Sequence, residues 1–222
     1  MSVEAVILAV ASAVRPSTAL AAVFTLLANV RARPLLAAFI VCGFAFSALL
    51  GLLIVSVLHG VPLPGRASTR TDVVDIVAGA AMLGFAAGTW SGRMQAMRRR
   101  RGAEERPSRI VAMLQRPSLK VAGGAGAATH LPGLFYLVAL NSIAAPKPAL
   151  TSAAWQVAAY NAIWFSVPIA GFVLARNHLA DAHNLMSRGN DWSRRHRQVI
   201  VSVLFSVVGT CLLIKGIIGL LT

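Results

Sequence analysis

The stretch PLLAAFIVCGFAFSALLGLLIVSVL, residues 34–58, decides the fold, because it carries no charged residue along its whole length. A helix that crosses a bilayer needs about 20 consecutive apolar residues. The apolar residues here follow one another without the alternation of a β-barrel strand or the 3.6-residue spacing of a soluble helix. The stretch therefore predicts a membrane-spanning α-helix.

Similar apolar stretches lie on both sides of it, and three of them are interrupted. The interruptions are Arg15-Pro16 in the first, Gly123-Gly124 and His130-Leu131-Pro132-Gly133 in the fourth, and Pro168 in the fifth. We predict an all-α polytopic membrane protein, a single membrane domain over residues 1–222 with six transmembrane helices. The predicted spans are Val3–Ala28, Pro34–Leu58, Val73–Ser91, Val121–Ala145, Ala153–Ala175 and Val199–Leu221.

Composition supports a membrane protein. Charged residues make up 13% of the chain and the mean hydropathy is +0.70, whereas a soluble domain carries about 25% charged residues. The net charge of +14, from 21 basic and 7 acidic residues, would suggest nucleic acid in a soluble protein. Because the basic residues lie almost wholly in short connectors, we expect anionic lipid headgroups as partners and no nucleic acid.

The basic residues also predict an orientation. Sixteen of them lie in the first, third and fifth connectors, and three lie in the second and fourth. Because cytoplasmic loops are enriched in Lys and Arg, we expect the odd connectors, including a basic loop at 93–120, to face the cytoplasm of a bacterial inner membrane. Both the N-terminus and the C-terminus would then lie outside. The N-terminal stretch lacks the basic region of a signal peptide, so we expect it to be a retained first span.

Three spans on either side of the long basic connector would give two halves of opposite topology, a 3+3 inverted repeat. Inverted-repeat transporters bind substrate at discontinuous helices in corresponding positions of the two halves. The first and fourth spans carry such interruptions, each near mid-span. This pattern favours a transport site at the middle of the membrane.

Arg15 is the residue that most directly indicates a ligand. It lies about 18 Å into the first span at helical rise, close to the bilayer centre, where an arginine costs roughly 2.5–3.5 kcal/mol. A half-helix restarting at Pro16 would direct the free N–H groups of Ser17 and Thr18 at an anion, and Thr129 would cap a second half-helix before Pro132. A proline kink and a snorkelling arginine are the structural alternatives.

His130 and Lys215 complete the set of basic groups predicted inside the membrane. His130 titrates near neutral pH in its unperturbed state and would allow proton coupling, while a structural histidine and a Lys215 that extends to the interface are the alternatives. Because every ionisable group predicted inside the membrane is basic, the sequence favours an anionic substrate over a cation. The candidate substrate-binding residues, chosen by depth and chemistry, are Arg15, Pro16, Ser17, Thr18, His130, Pro132, Asn141 and Lys215.

Other signals are structural. Gly84, Gly88 and Gly92 lie at four-residue spacing and predict a helix-packing surface. Arg98, Arg99, Arg100 and Arg101 are expected to contact lipid headgroups. The sequence has no nucleotide loop, zinc-ligand spacing or nucleophilic triad, so we expect no enzyme activity, no metal and no cofactor.

The pattern resembles the glycopeptidolipid- and sulfolipid-addressing protein family of mycobacteria (GAP/Sap), within the lysine-exporter superfamily. The resemblance covers nearly the whole chain and rests on short motifs: the run from Ala11 to Thr18, the run from Leu131 to Asn141, Tyr160-Asn161, the run from Trp192 to Arg197, and Gly209 in the last span. Amino-acid exporters of the superfamily tend to have Pro-Gly-Pro and Asn-Pro-Lys where this chain has Arg15-Pro16-Ser17 and Asn141-Ser142-Ile143.

The resemblance implies a membrane protein that helps to move anionic or glycosylated envelope lipids across the inner membrane, beside a larger lipid transporter or through self-association. Two alternatives stay open. One is a small-solute exporter of lysine-exporter type, and the other is a non-transporting scaffold for a larger lipid transporter, docked through the glycine surface.

Overall fold

The computed structural model describes residues 2–14, 18–60, 67–92, 109–115, 117–144, 146, 148–177, 184, 188–189, 191–192 and 195–221. The regular elements within these residues are helices, as the sequence predicts. Numbered along the chain, they are α1 (Val3–Val14), α2 (Thr18–Leu27), α3 (Ala32–Gly60), α4 (Ala67–Trp90), α5 (Arg109–Met113), α6 (Leu119–Thr129), α7 (Leu134–Ala144), α8 (Leu150–Trp164), α9 (Ser166–Asn177) and α10 (Arg197–Leu221).

Among the described residues, three helices are each long and apolar enough to cross a membrane alone, namely α3, α4 and α10. The other long helices form three bent pairs, α1–α2, α6–α7 and α8–α9, with angles of 51°, 68° and 60° between their halves. If each bent pair crosses as one span, the described part of the chain contains up to six spans, and they lie where the sequence predicts them. The 3+3 inverted repeat and the extent of the single domain stay predictions.

Two of the bends have a local cause in proline. Pro132 has no backbone N–H and cannot continue α6, which ends at Thr129. Pro168 lies in the first turn of α9, and in a continuous helix its ring would collide with the carbonyl of Trp164 four residues earlier. α8 accordingly ends at Trp164.

The buried apolar residues form two hydrophobic cores. The first core joins α1, α7 and α8 to α4 and α10, and includes Leu8, Tyr136 and Phe205. The second joins α2 and α6 to the first half of α3, and includes Leu26 and Phe39. The two halves of each bent pair therefore pack in different cores, whereas α4 and α10 belong to the first core.

The long helices bury little of their apolar surface within the molecule. In the most apolar stretch of α3, 28% of the residues are buried, and Val41, Leu49, Leu53 and Val57 are exposed. An exposed apolar surface of this extent fits contact with lipid hydrocarbon rather than water.

Glycines allow two pairs of helices to approach closely. A Cβ on Gly79 of α4 would lie 2.7 Å from the Gly209 carbonyl oxygen of α10, and a Cβ on Gly216 would lie 2.6 Å from the Asp72 carbonyl oxygen. A Cβ on Gly126 of α6 would collide with the Phe39 carbonyl oxygen of α3. The pairs α4–α10 and α3–α6 are thus in backbone contact, as small residues permit between membrane helices.

The helix ends meet in two sets, as alternating spans require. At one end Gln198 of α10 donates to the carbonyl oxygen of Thr89 in α4 (3.0 Å), and Arg33 of α3 donates to that of Ala175 in α9 (3.1 Å). At the opposite end Lys215 of α10 contacts Glu4 of α1. The basic connectors predicted from the sequence adjoin the first of these ends.

Candidate functional site

A group of buried polar side chains lies at the level of the breaks, and we call it the central polar cluster. It comprises Ser12 of α1, Ser47 of α3, Tyr136 of α7, and Tyr160 and Asn161 of α8. Their exposed fractions run from 0% to 9%. The cluster therefore ties four helices together in the interior of the membrane domain.

Three members form a closed ring of hydrogen bonds. The Ser47 hydroxyl donates to Asn161 Oδ1 (2.7 Å), Asn161 Nδ2 donates to the Tyr136 hydroxyl oxygen (3.1 Å), and the Tyr136 hydroxyl donates to the Ser47 carbonyl oxygen (2.7 Å). Because each donor meets an acceptor, the ring is stable away from water.

The remaining two members join α1 to α8. The hydroxyl groups of Ser12 and Tyr160 lie 2.8 Å apart, and the Tyr160 hydroxyl also donates to the Leu8 carbonyl oxygen at 3.3 Å. The Tyr160 ring packs against that of Tyr136, with 5.1 Å between centroids. Ser12 precedes the first break by a few residues, so this contact places the end of α1 beside the other two broken spans.

His130 lies at the break of the fourth span and is 1% exposed. Its Nδ1 lies 2.9 Å from the Gly126 carbonyl oxygen, and its ring stacks on that of Phe165 at the fifth-span break, with 3.9 Å between centroids. Trp164 and Phe39 make edge contacts with the same ring. These surroundings favour the structural alternative for His130 over a place on a wet cavity.

The predicted cap at Thr129 is wrong in direction. Its hydroxyl donates back to the Ala125 carbonyl oxygen at 2.8 Å, so it satisfies the end of α6 rather than the start of α7. A threonine hydroxyl in a helix commonly donates to the carbonyl oxygen four residues earlier, and Thr129 is the last residue of α6.

Charged residues form a second group at one end of the domain, the carboxylate–lysine cluster of Glu4, Asp75 and Lys215. Lys215 Nζ lies 2.5 Å from Glu4 Oε2 and 2.8 Å from Asp75 Oδ2. The Asp75 side chain is 1% exposed, that of Glu4 19% and that of Lys215 45%. The Ser142 hydroxyl of α7 donates to Glu4 Oε2 at 3.3 Å.

This cluster corrects two expectations. Lys215 does not extend alone to the interface, and the ionisable groups inside the spans are not all basic, because two carboxylates from other spans accompany Lys215. Counting depth along each span separately cannot show which side chains from different spans meet. Lys215 is therefore not a free cation for an anionic substrate.

An apolar cleft of about 150 Å³ separates α1 from α10 beside the carboxylate–lysine cluster. Ile7 and Leu8 line it from α1, and Val208 and Leu212 line it from α10. Glu4, Lys215 and Cys211 also face this cleft. Within the described residues no group of three or more His, Cys, Asp or Glu side chains is placed to hold a metal ion.

The other predicted site residues are scattered. Arg15, Pro16 and Ser17 lie outside the described residues, as do Arg98, Arg99, Arg100 and Arg101. Thr18 is exposed at the start of α2, Pro132 is half-buried in the fourth-span break, and half-buried Asn141 has an Nδ2 with no hydrogen-bond partner. Substrate contact at these positions stays a prediction.

Two of the three glycines of the predicted surface make no close contact among the described residues. Gly84 is exposed and a Cβ there would have nothing within 4 Å, and the same holds for the Cβ of Gly92, whose φ is +68° after α4 has ended. The close contact between α4 and α10 forms instead at Gly79. A packing role for Gly84 would therefore need a partner outside the described residues.

Sequence reasoning did not select the central polar cluster as a site. Ser12, Tyr136 and Tyr160-Asn161 lie within the motifs that carry the family resemblance, whereas Ser47 lies inside the most apolar stretch. A polar residue near the middle of a predicted span is itself a signal, because the membrane interior makes an unpaired hydroxyl or amide unfavourable.

Comparison with known proteins gives one result at the family level. Residues 5–218 match the model of a family described as Sap, sulfolipid-1-addressing protein. The curated proteins and the solved structures contain no significant match to the chain. The family match covers the central polar cluster, the breaks and the carboxylate–lysine cluster except for Glu4.

Proposed function

The chain belongs to the sulfolipid-1-addressing protein family, and from that premise we propose that it is an integral membrane protein that helps to export a cell-envelope lipid across the inner membrane. The match confirms the resemblance to the sulfolipid-addressing family that the sequence predicts. Its wider placement in the lysine-exporter superfamily stays a prediction.

The observation that carries the proposal is the arrangement of broken spans around the central polar cluster. Three bent pairs meet at one level, where Ser12, Ser47, Tyr136 and Asn161 contribute polar groups between two apolar cores. Discontinuous helices at the membrane midplane are typical of transporters, because their ends expose backbone groups to a substrate. The closed hydrogen-bond ring fits a resting state of such a site.

The substrate class we propose is a glycosylated or anionic envelope lipid. The family name supports a lipid, and Arg15 supports an anionic group because an arginine near mid-membrane is stabilised by an anion. Lys215 no longer supports the anion, since Glu4 and Asp75 already pair with it. The apolar outer surfaces of α3 and α10 suit a substrate that stays in contact with lipid.

The test is a lipid profile of the native host with the chain deleted. We expect the exported lipid to disappear from the surface-extractable fraction and to accumulate inside the cell, and the wild-type chain to restore it. Surface and total lipids would be quantified by mass spectrometry from the same cultures. An unchanged surface fraction in the deletion strain would contradict lipid export.

The proposed orientation has both termini outside and the 93–120 loop in the cytoplasm. Its support is the asymmetry of sixteen basic residues against three, together with the helix ends that meet in two sets. An impermeant thiol reagent added from outside should label a cysteine placed at position 65 and miss one placed at position 103. Labelling in the reverse pattern would invert the orientation.

A scaffold for a larger lipid transporter is the second candidate, and the exposed Gly84 on α4 favours it. Gly84 is exposed with no neighbour within 4 Å, so a partner helix has room to approach. A scaffold predicts that Gly84→Leu leaves folding unchanged and abolishes both co-purification of a transporter and export. Export by the purified chain alone in proteoliposomes would exclude a purely scaffolding role.

A further inference from the structure

The apolar cleft between α1 and α10 is polar at one end and apolar along the rest of its length, as a lipid molecule is. Its lining residues recur at helical spacing and include Glu4, Ile7 and Leu8 on α1, and Cys211, Leu212 and Lys215 on α10. The Glu4–Lys215 ion pair lies at one end. From Lys215 to Val208, the α10 wall runs about 10 Å at helical rise. The cleft therefore extends from the charged end about a third of the way through the hydrocarbon layer.

The size of the cleft selects a single hydrocarbon chain as its occupant. Its volume is about 150 Å³, and an apolar cavity of about that volume stays dry and binds a molecule as small as benzene. A helix with its side chains is about 10–12 Å across, so the helix of a partner or of a second copy is too wide to enter. A segment of one acyl chain is narrow enough.

The cleft is accessible from the bilayer. Ile7 is 46% exposed and Cys211 is also exposed, whereas Leu8 and Leu212 are almost fully buried. The walls therefore present apolar side chains both at the surface of the domain and in its interior. A chain can enter sideways from the surrounding lipid without crossing the packed core.

The charged end of the cleft gives little preference for an anionic headgroup. Lys215 Nζ lies 2.5 Å from Glu4 Oε2 and 2.8 Å from Asp75 Oδ2. The attraction of an anion to the Lys215 ammonium is therefore offset by its repulsion from the two carboxylates. Binding in the cleft depends mainly on the apolar area that the chain buries.

We propose that the cleft between α1 and α10 binds one acyl chain of a membrane lipid, with the lipid headgroup at the Glu4–Lys215 end. In the proposed orientation this is the outer end, so the lipid belongs to the outer leaflet. Binding of the chain stands by itself. A role for the cleft in releasing an exported lipid rests on the proposed function.

Photo-crosslinking tests the position of the chain. The purified protein in a phosphatidylcholine nanodisc would receive phosphatidylcholine that carries a diazirine in its acyl chain, and the labelled residues would be mapped by mass spectrometry. We expect labelling at Ile7 and Cys211 to exceed several-fold that at Leu49 and Leu53, which are exposed on α3. Even labelling of the four positions would overturn the proposal.

A variant that fills the cleft gives a second test. Cys211→Trp should lower labelling at Ile7 several-fold, because the indole occupies the space of the chain. Val203→Trp is the matched control, since Val203 is 50% exposed on the same helix and does not line the cleft, and it should label as the wild type does. Equal labelling of Ile7 in the two variants would contradict a chain in the cleft. If Cys211→Trp does not fold, Ile7→Trp fills the cleft from the other wall and is read at Cys211.

Competition between headgroups tests what is recognised. Unlabelled phosphatidylglycerol and unlabelled phosphatidylcholine should lower labelling at Ile7 equally, and high salt should change neither result. Stronger competition by phosphatidylglycerol that disappears at high salt would replace recognition of the chain with attraction of anionic headgroups to basic residues.

The cleft and the proposed function can fail separately. Labelling confined to the cleft, together with an unchanged surface lipid profile in the deletion strain, would overturn the proposed function and leave the chain-binding site intact. Even labelling, together with loss of surface lipid in the deletion strain, would overturn the site and leave the proposed function intact.

Discussion

The central polar cluster and the carboxylate–lysine cluster both draw a residue from α1, yet they satisfy polar groups in different ways. In the central cluster, neutral hydroxyl and amide groups close a ring in which Ser47, Tyr136 and Asn161 each find a partner. In the other cluster, Glu4 and Asp75 share Lys215 and keep oxygens without donors. The contrast separates a neutral, fully paired cluster at the level of the breaks from an ion-paired cluster at one end of the domain.

The largest expected effect concerns the backbone contact between α3 and α6. Gly126→Leu should prevent folding, because its Cβ would collide with the Phe39 backbone of α3 while the Gly126 carbonyl also accepts from His130. Gly124→Leu is the matched control, since Gly124 is exposed with nothing within 4 Å of its Cβ. The yield of monodisperse protein in detergent checks this, and equal yields would disprove close α3–α6 contact.

A smaller effect is expected when the carboxylates lose their counter-ion. Lys215→Met should lower the free energy of unfolding by roughly 1–3 kcal/mol, less than the loss for a fully buried pair because Lys215 is partly exposed. The double variant Lys215→Met with Asp75→Asn should recover part of the loss, because a buried charge without a partner has been removed. Thermal unfolding in detergent measures both, and an equally unstable double variant would count against the ion pair.

The smallest effect is expected at the edge of the central cluster. Tyr160→Phe removes the hydroxyl that contacts Ser12 and keeps the ring against Tyr136. Hydrogen bonds between membrane helices contribute about 0.6 kcal/mol on average, so stability should fall only slightly. If Tyr160→Phe lowered the free energy of unfolding as much as Lys215→Met does, the two clusters would not differ in the way proposed.

The sequence was informative where the cause of structure is local. Pro132 and Pro168 end helices by steric exclusion, so the breaks in the fourth and fifth spans could be predicted, and the apolar runs identified the spans. Partners distant along the chain could not be predicted. Ser47 and Asn161 are 114 residues apart and Lys215 and Glu4 are 211 apart, and each pairing depends on which helix faces meet.

The glycine surface illustrates the same limit. Four-residue spacing predicted a packing face at Gly84, Gly88 and Gly92, but the face of α4 that meets α10 contains Gly79 instead. Spacing identifies residues that share a helix face and does not say which neighbour that face meets. The direction of a face is set by packing with the other spans.

The measurement that tests lipid export most directly is export by Arg15→Leu at matched membrane abundance in the deletion strain. The change removes an insertion cost of roughly 2.5–3.5 kcal/mol, so the variant should insert at least as well as the wild type. We predict that surface lipid is nonetheless lost, and that Arg15→Lys restores part of it because the charge remains without the bidentate geometry. Wild-type export by Arg15→Leu would contradict a mid-membrane anion site and leave the scaffold as the better account.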